Sequence, residues 1–269
     1  MQKTILITGA TDGIGLLTAK KLAEQGHTLL LHGRNPAKLD AAEQSVAAAA
    51  TGGQIEGYIA DLSRLSEVEA LAYVVTEKHE RIDVLINNAG IFKTSDPLTA
   101  DGQDVRFVVN TLAPYLLTKL LLPLLGSAGR VINLSSAAQA PVNPDALAGR
   151  VRLSDDMAAY AQSKLAMTIW SRVMGLERKE NGPMIVAVNP GSLLASKMVK
   201  EGFGIAGNDL SIGADILCRA ALSDEFADAS GQYFDNDARQ LSSPHRDALN
   251  EGKCAEVVRT IEAVLAEKQ

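Results

Sequence analysis

Aromatic side chains are scarce here: only 4% of the 269 residues are Phe, Trp or Tyr, so the core must be built from the plentiful aliphatic residues. Positive charge is also in deficit. There are 26 Lys and Arg against 32 Asp and Glu, for a net charge of −6, and no local basic cluster. That balance argues against a nucleic-acid-binding surface. Cysteine is limited to Cys218 and Cys254, far apart and without His or Cys partners at ligand spacing. A disulfide framework and a zinc site are both excluded, and a reduced pair in a reducing compartment is expected. No other metal ligand set is evident. The longest apolar stretch, Leu112–Leu125, is broken by Pro114, Lys119 and Pro123 and reads as a buried helix rather than a membrane span. Met1-Gln2-Lys3 runs directly into the apolar Thr4–Thr8, which leaves no room for a signal peptide. A soluble cytoplasmic protein with no membrane partner is therefore expected. Internal repeats, low-complexity tracts and a second domain are absent too.

What the chain does have is an alternation of strands and helices. Thr4–Thr8 is a β-branched run that ends in Gly9-Ala10-Thr11-Asp12-Gly13-Ile14-Gly15, and a helical pattern over Leu16–Gln25 follows, stopped at Gly26. A glycine-rich turn between strand and helix lets backbone N–H groups approach a pyrophosphate at the positive helix end. The second strand, Thr28–His32, ends in Gly33-Arg34-Asn35-Pro36. An acidic residue near this point takes the ribose 2′-hydroxyl of NAD, whereas an arginine accommodates the 2′-phosphate of NADP. Here there is no carboxylate and there is Arg34, so NADP(H) is favoured, with NAD(H) the second candidate. Further strands are expected at Ile55–Ile59, Asp83–Ile86, Arg130–Leu134 and Met184–Val188, with helices over Pro36–Ala50, from Ser63/Ser66, and over Asp104–Leu125 and Ala158–Lys179. Beyond these come a helix over Ile212–Leu222, an edge strand at Gln232-Tyr233-Phe234 and a closing helix over Arg246–Lys268. The fold class is thus a single α/β domain, a Rossmann-like doubly wound parallel sheet of about seven strands with helices on both faces.

In such a sheet ligands bind outside the carboxyl ends of the strands. The glycine turn, Arg34, Asp61, Asn87-Asn88-Ala89-Gly90 and Ser136 all fall on that rim. Asp61 fits two roles equally, as acceptor of an adenine amino group or as a residue at the start of a helix. Tyr160 and Lys164 lie four apart in a helical pattern and so share a face. A neighbouring ammonium favours the phenolate and would bring a tyrosine, which titrates near pH 10 on its own, towards the range of general acid–base catalysis. Residues 137–157 form a long irregular stretch that suggests a substrate-side flap, and 192–210, with glycines at 202, 204 and 207 beside Met198 and Phe203, has the composition of an apolar lid or a surface loop.

These motifs together resemble the short-chain dehydrogenase/reductase family over the whole length. They are Thr8-Gly9-x-x-x-Gly13-x-Gly15, Asn87-Asn88-Ala89-Gly90, Asn110, Ser136, Tyr160-x-x-x-Lys164 and Pro190-Gly191. The Arg34 turn, the stretch before Tyr160 and Gly231-Gln232-Tyr233-Phe234 look most like its retinol-dehydrogenase-like branch. The resemblance implies hydride transfer between NADP(H) and a carbonyl or alcohol substrate, with a catalytic tetrad of Asn110, Ser136, Tyr160 and Lys164. It implies cofactor contacts from Gly9, Asp12, Gly13, Ile14 and Gly15, from Arg34, Asp61 and Leu62, from Asn88, Ala89 and Gly90, and from Tyr160, Lys164, Pro190, Gly191 and Leu193. Asn110 would hold a water linking Lys164 to solvent, and a homodimer or homotetramer would be expected. Two departures stand out. Ser136 and Tyr160 are further apart than in the commonest members, and Asp12 stands where many NADP-preferring members carry a base. A catalytically silent NADP(H) sensor and a non-redox enzyme of the same superfold are the competing readings.

Overall fold

The computed structural model describes residues 1–195, 204 and 207–268. Its centre is one eight-stranded sheet in the order β3-β2-β1-β4-β5-β6-β7-β8. The strands are β1 (Thr4–Ile7), β2 (Thr28–Gly33), β3 (Ile55–Ile59), β4 (Val84–Asn87), β5 (Arg130–Leu134), β6 (Met184–Asn189), β7 (Tyr233–Asp235) and β8 (Gln240–Ser242). Every pair from β3 to β7 is parallel, and β8 returns antiparallel to β7. The count is therefore eight, one above expectation, and the strand at Tyr233 is not an edge strand because β8 lies outside it. The central strands are mainly apolar, as burial on both faces requires: Ile5, Leu6 and Ile7 of β1 are fully buried.

Helices cover both faces. One core lies under α1 (Gly13–Glu24), α2 (Pro36–Ala47) and α7 (Ser211–Leu222), through Leu22, Val46, Ile216 and Leu217. The other lies under α3 (Leu65–Lys78), α4 (Val105–Leu125), α6 (Asp156–Glu177) and α8 (Glu251–Ala266), with Trp170 at its middle. The closing helix is shorter than its pattern suggests, because Arg246–Leu249 forms a separate 3-10 turn before Asn250 caps α8. Tyr115 hydrogen-bonds Glu262 of α8 and meets Trp170 edge-on, with ring centres 5.5 Å apart, so α8 seals the outer groove between α4 and α6.

Among the described residues α4 is the one helix long and apolar enough to span a bilayer, but 67% of its most apolar window is buried inside the fold. It is the core helix that the interrupting prolines and Lys119 suggested. Its first part is not uniform: Val108–Leu112 winds as a π-turn with Asn110 at its centre. Such single-turn widenings inside α-helices recur at functional sites. The 137–157 stretch carries only the short α5 (Pro144–Leu147), whose Ala146 and Leu147 are buried in the core under α6.

Candidate active site

The carboxyl ends of β1 and β4 are where the chain order in the sheet reverses, and a cavity of about 710 Å³ opens there. Gly9 begins the turn with φ +66°, and a Cβ there would come within 2.9 Å of the Ala89 backbone, so this crossing of the two loops requires glycine. Thr8 joins them: its Oγ1 accepts from the N–H groups of Asn88 and Ala89 at 3.1 Å each, while Asn88 Nδ2 donates to the Thr8 and Gly9 carbonyls at 2.9 and 3.0 Å. Gly15 completes the contact, since a Cβ on it would sit 2.3 Å from the Gly9 oxygen. Asp12 precedes α1 in extended backbone and its side chain caps nothing. The first-turn N–H groups of α1 thus lack an intrahelical acceptor beside a cavity lined by Gly13 and Ile14. That arrangement fits a cofactor pyrophosphate.

Most of the expected cofactor residues do line this cavity: Gly9, Asp12, Gly13, Ile14, Arg34, Asp61, Leu62, Asn88, Ala89, Gly90, Tyr160, Lys164 and Pro190. Gly15 supports the turn from behind. Gly191, with φ +122°, and the exposed Leu193, with φ 52°, lie beyond Pro190 and outside the lining. Arg34 is accompanied by Asn35 and Lys38, a second cation on the same lip. Asp61 lines the cavity and also holds the turn that precedes α3, its Oδ1 accepting from Ser63 N–H and Ser63 Oγ at 3.0 and 2.8 Å, while the helix itself begins at Leu65 after Arg64. Asn87 does not face the cavity. It is buried, and its Nδ2 donates to Thr118 Oγ1 and Asn133 Oδ1 in the core.

At the far end of the cavity Tyr160 and Lys164 stand on one face of α6, with Lys164 Nζ 5.8 Å from the phenol ring centre. Lys164 is 3% exposed, and its Nζ donates to the Leu134 carbonyl at the end of β5 at 2.6 Å. Burial pushes its pKa down to about 8. Burial raises the pKa of the Tyr160 phenol, and a hydrogen bond with Ser136 acts the other way. Ser136 is held in turn, because its carbonyl accepts from Gln139 Nε2 and from Tyr233 Oη of β7. Ser135 borders the cavity while its Oγ lies within 2.6 Å of Thr168 Oγ1, and Ser136 itself falls outside the cavity lining. Phe92 lies against Tyr160, ring centres 5.1 Å apart.

Asn110 is fully buried, and its amide is committed: Oδ1 accepts from Ile91 N–H, while Nδ2 donates to the Ile91 carbonyl and to Ser163 Oγ. The side chain has no donor left for a water. Residues 137–157 contribute nothing to the cavity lining; the wall beyond the nucleotide end comes from Phe92, Lys93, Thr94, Asp96, Leu98, Thr99, Val105 and Val109. Much of the lid expected at 192–210, including Met198 and Phe203, lies outside the described residues.

His32 is a residue of the site that sequence reasoning missed. It is 3% exposed and lines the cavity beneath the glycine turn, Nδ1 accepting from Gly9 N–H at 3.2 Å and Nε2 lying 2.9 Å from the Ala60 carbonyl. A histidine closing the run Leu29-Leu30-Leu31 was the available signal.

A sequence model described as short chain dehydrogenase matches residues 3–203. Retinol dehydrogenase 13 of Homo sapiens is 32% identical over 262 residues, covering 90% of this chain and 78% of that protein. A metagenomic short-chain oxidoreductase solved in complex with NADP is 30% identical with a TM-score of 0.62, covering 81% of this chain and 90% of that one. The short chain dehydrogenase of Shigella flexneri superposes with a TM-score of 0.72 at 26% identity, covering 90% of this chain and 94% of its own.

Proposed function

The chain belongs to the short-chain dehydrogenase family, in its retinol-dehydrogenase-like branch, and from that premise we propose that it is an oxidoreductase moving a hydride between NADP(H) and a carbonyl/alcohol pair. The observation that carries this reading is the meeting, in one cavity, of the glycine turn with the Tyr160–Lys164 face. When bound, the nicotinamide supplies or accepts the hydride. Tyr160 gives its proton to the developing alkoxide in the reductive direction and recovers it in the other. Burial favours the protonated phenol in the free protein, which suits a proton donor. Ser136 orients the substrate oxygen and donates to it as charge builds, a contact worth more in the transition state than in the ground state. Lys164 has one protein acceptor, Leu134 O, so its remaining N–H donors suit the nicotinamide ribose hydroxyls, and its charge steadies a forming phenolate. Asn110 braces the Ile91 loop against α6. Arg34 and Lys38 on the cavity lip suit the 2′-phosphate, which supports NADP over NAD.

Tyr160→Phe tests the reading. Turnover of a panel of ketones and aldehydes should fall by at least 10³-fold, on the order expected for loss of a general acid, while NADPH affinity by fluorescence titration stays within about twofold, below half a kcal/mol. A fully active variant would refute the assignment. In the same titration the unaltered protein should bind NADPH at least about tenfold tighter than NADH, one extra charge-assisted contact being worth roughly 1.4 kcal/mol. Equal affinities would count against the role given to Arg34.

A further inference from the structure

Arg106 is a charged residue with no part in the chemistry above, yet it is 1% exposed. Its guanidinium grips Asp104 in a two-pronged bond, Nε to Oδ1 at 2.8 Å and Nη2 to Oδ2 at 2.6 Å. The remaining Nη1 donates to Asp156 Oδ1. Asp104 caps α4, accepting from Arg106 N–H there, and Asp156 is the first residue of α6. The contact therefore ties the start of one helix to the start of the other.

The spacing gives this tie its meaning. Arg106 stands four residues before Asn110, and Asp156 stands four before Tyr160. Residues four apart lie one turn above each other on the same face. The next rung between the helices is Asn110 Nδ2 to Ser163 Oγ at 2.9 Å, followed by Thr111 Oγ1 to the Ser163 carbonyl at 2.9 Å. Ser163 Oγ itself donates to the Tyr160 carbonyl at 2.7 Å. Three polar rungs thus fix the register of α4 against α6, and the outermost is ionic, with both partners beside helix N-termini where carboxylates are favoured. Within the π-turn the helix ladder shifts by one residue, Ala113 N–H donating to the Val108 carbonyl.

We propose that Arg106 and Asp156 are positioning residues: their bond sets the register of α6 and so holds the Tyr160 phenol in line with Ser136. Neither touches the reacting atoms. The inference rests on Tyr160 being the proton donor, and its test keeps the two apart. Asp156→Asn removes the charge but leaves the neighbouring cap at Asp155 and the Asp104 partner of Arg106, so no buried cation is orphaned. Small misplacements at a reacting centre cost roughly ten- to a hundredfold. The expected result is a fall of about tenfold in kcat, with KM for NADPH and the thermal midpoint near those of the unaltered protein. In the Tyr160→Phe background the same substitution should change nothing further. A second arm does not depend on turnover: with ¹³C-labelled tyrosine, Asp156→Asn should raise the pKa of the Tyr160 signal as the Ser136 bond loosens, leaving Tyr115 and Tyr233 unmoved. An unchanged Tyr160 signal overturns the proposal, as does an unchanged kcat where Tyr160→Phe is inactive. If Tyr160→Phe stays active, the functional reading falls while the tyrosine titration still decides whether Asp156 positions the phenol.

Discussion

Lys164 sits where an ammonium is least welcome, 3% exposed with its Nζ donating to the Leu134 carbonyl. Desolvation disfavours the charged form, which is why its pKa falls to about 8. The fold therefore keeps this cation against its own stability, a pattern expected where catalysis sets the residue. Lys164→Met, similar in length and apolar, should abolish turnover and yet stabilise the protein by on the order of 1 kcal/mol. Differential scanning calorimetry should show the midpoint rising by roughly 2–4 °C for a domain of this size. A lower midpoint would mean that the ammonium contributes more than its single acceptor suggests. At this scale the sequence was informative about which residues meet and less so about how. The meeting of Tyr160, Lys164 and the glycine turn at one cavity was legible because each lies at a fixed spacing after a strand or along a helix. The inward turn of Asn87 and the committed amide of Asn110 were not, since a side chain's partners come from elements distant in the chain.

His32 works between elements. Standing at the end of β2, it accepts from the turn after β1 and contacts the carbonyl that ends the β3 segment, so one ring holds three strand ends in line. Burial lowers its pKa, against opposing pulls from the Ala60 carbonyl and Asp61. The folded state thus binds the proton less readily than the unfolded chain, whose histidine titrates near 6.5. Its contribution is fully present above that pH and is lost as pH falls towards the folded value. The thermal midpoint should therefore drop between about pH 7.5 and 5.5, and His32→Gln should flatten that slope in a scanning fluorimetry series. An identical slope in the variant would assign the acid sensitivity elsewhere, for instance to His27, whose pKa burial also lowers. Most elements were readable from periodicity because central strands and amphipathic helices repeat their pattern over several residues. The π-turn in α4 was not, as a register change of one residue leaves no mark on composition. Nor was β8, three partly exposed residues with no alternation to read. Within 137–157 only Ala146 and Leu147 turn into the core, where they find apolar partners under α6, and no residue of the stretch lines the cavity.

For the molecule as a whole, the doubly wound plan followed from the alternation of strands and helices alone, whereas the order of the strands in the sheet came only with the structure. Which outer surfaces stay free could not. The groove between α4 and α6 is filled by this chain's own α8, which buries Val257, Ile261, Val264 and Leu265 there. Ile261→Asp would place an unpaired charge in that fully buried contact, at a cost of several kcal/mol. Sedimentation velocity should then show association or large aggregates, with the thermal midpoint lowered; a well-behaved variant of unchanged size would show that α8 is dispensable for covering the groove.

That same helix is synthesised long after its two neighbours. By the time Asn189 leaves the ribosome, the parallel strands through β6 and the two helices that wall the groove have been made, but the segment that fills it has not. A nascent chain at this stage carries a bare aliphatic trough beside Trp170, of the sort that chaperones grip and that partly made chains share with one another. The interval before α8 docks is therefore a stage at which this fold exposes that apolar surface to its neighbours.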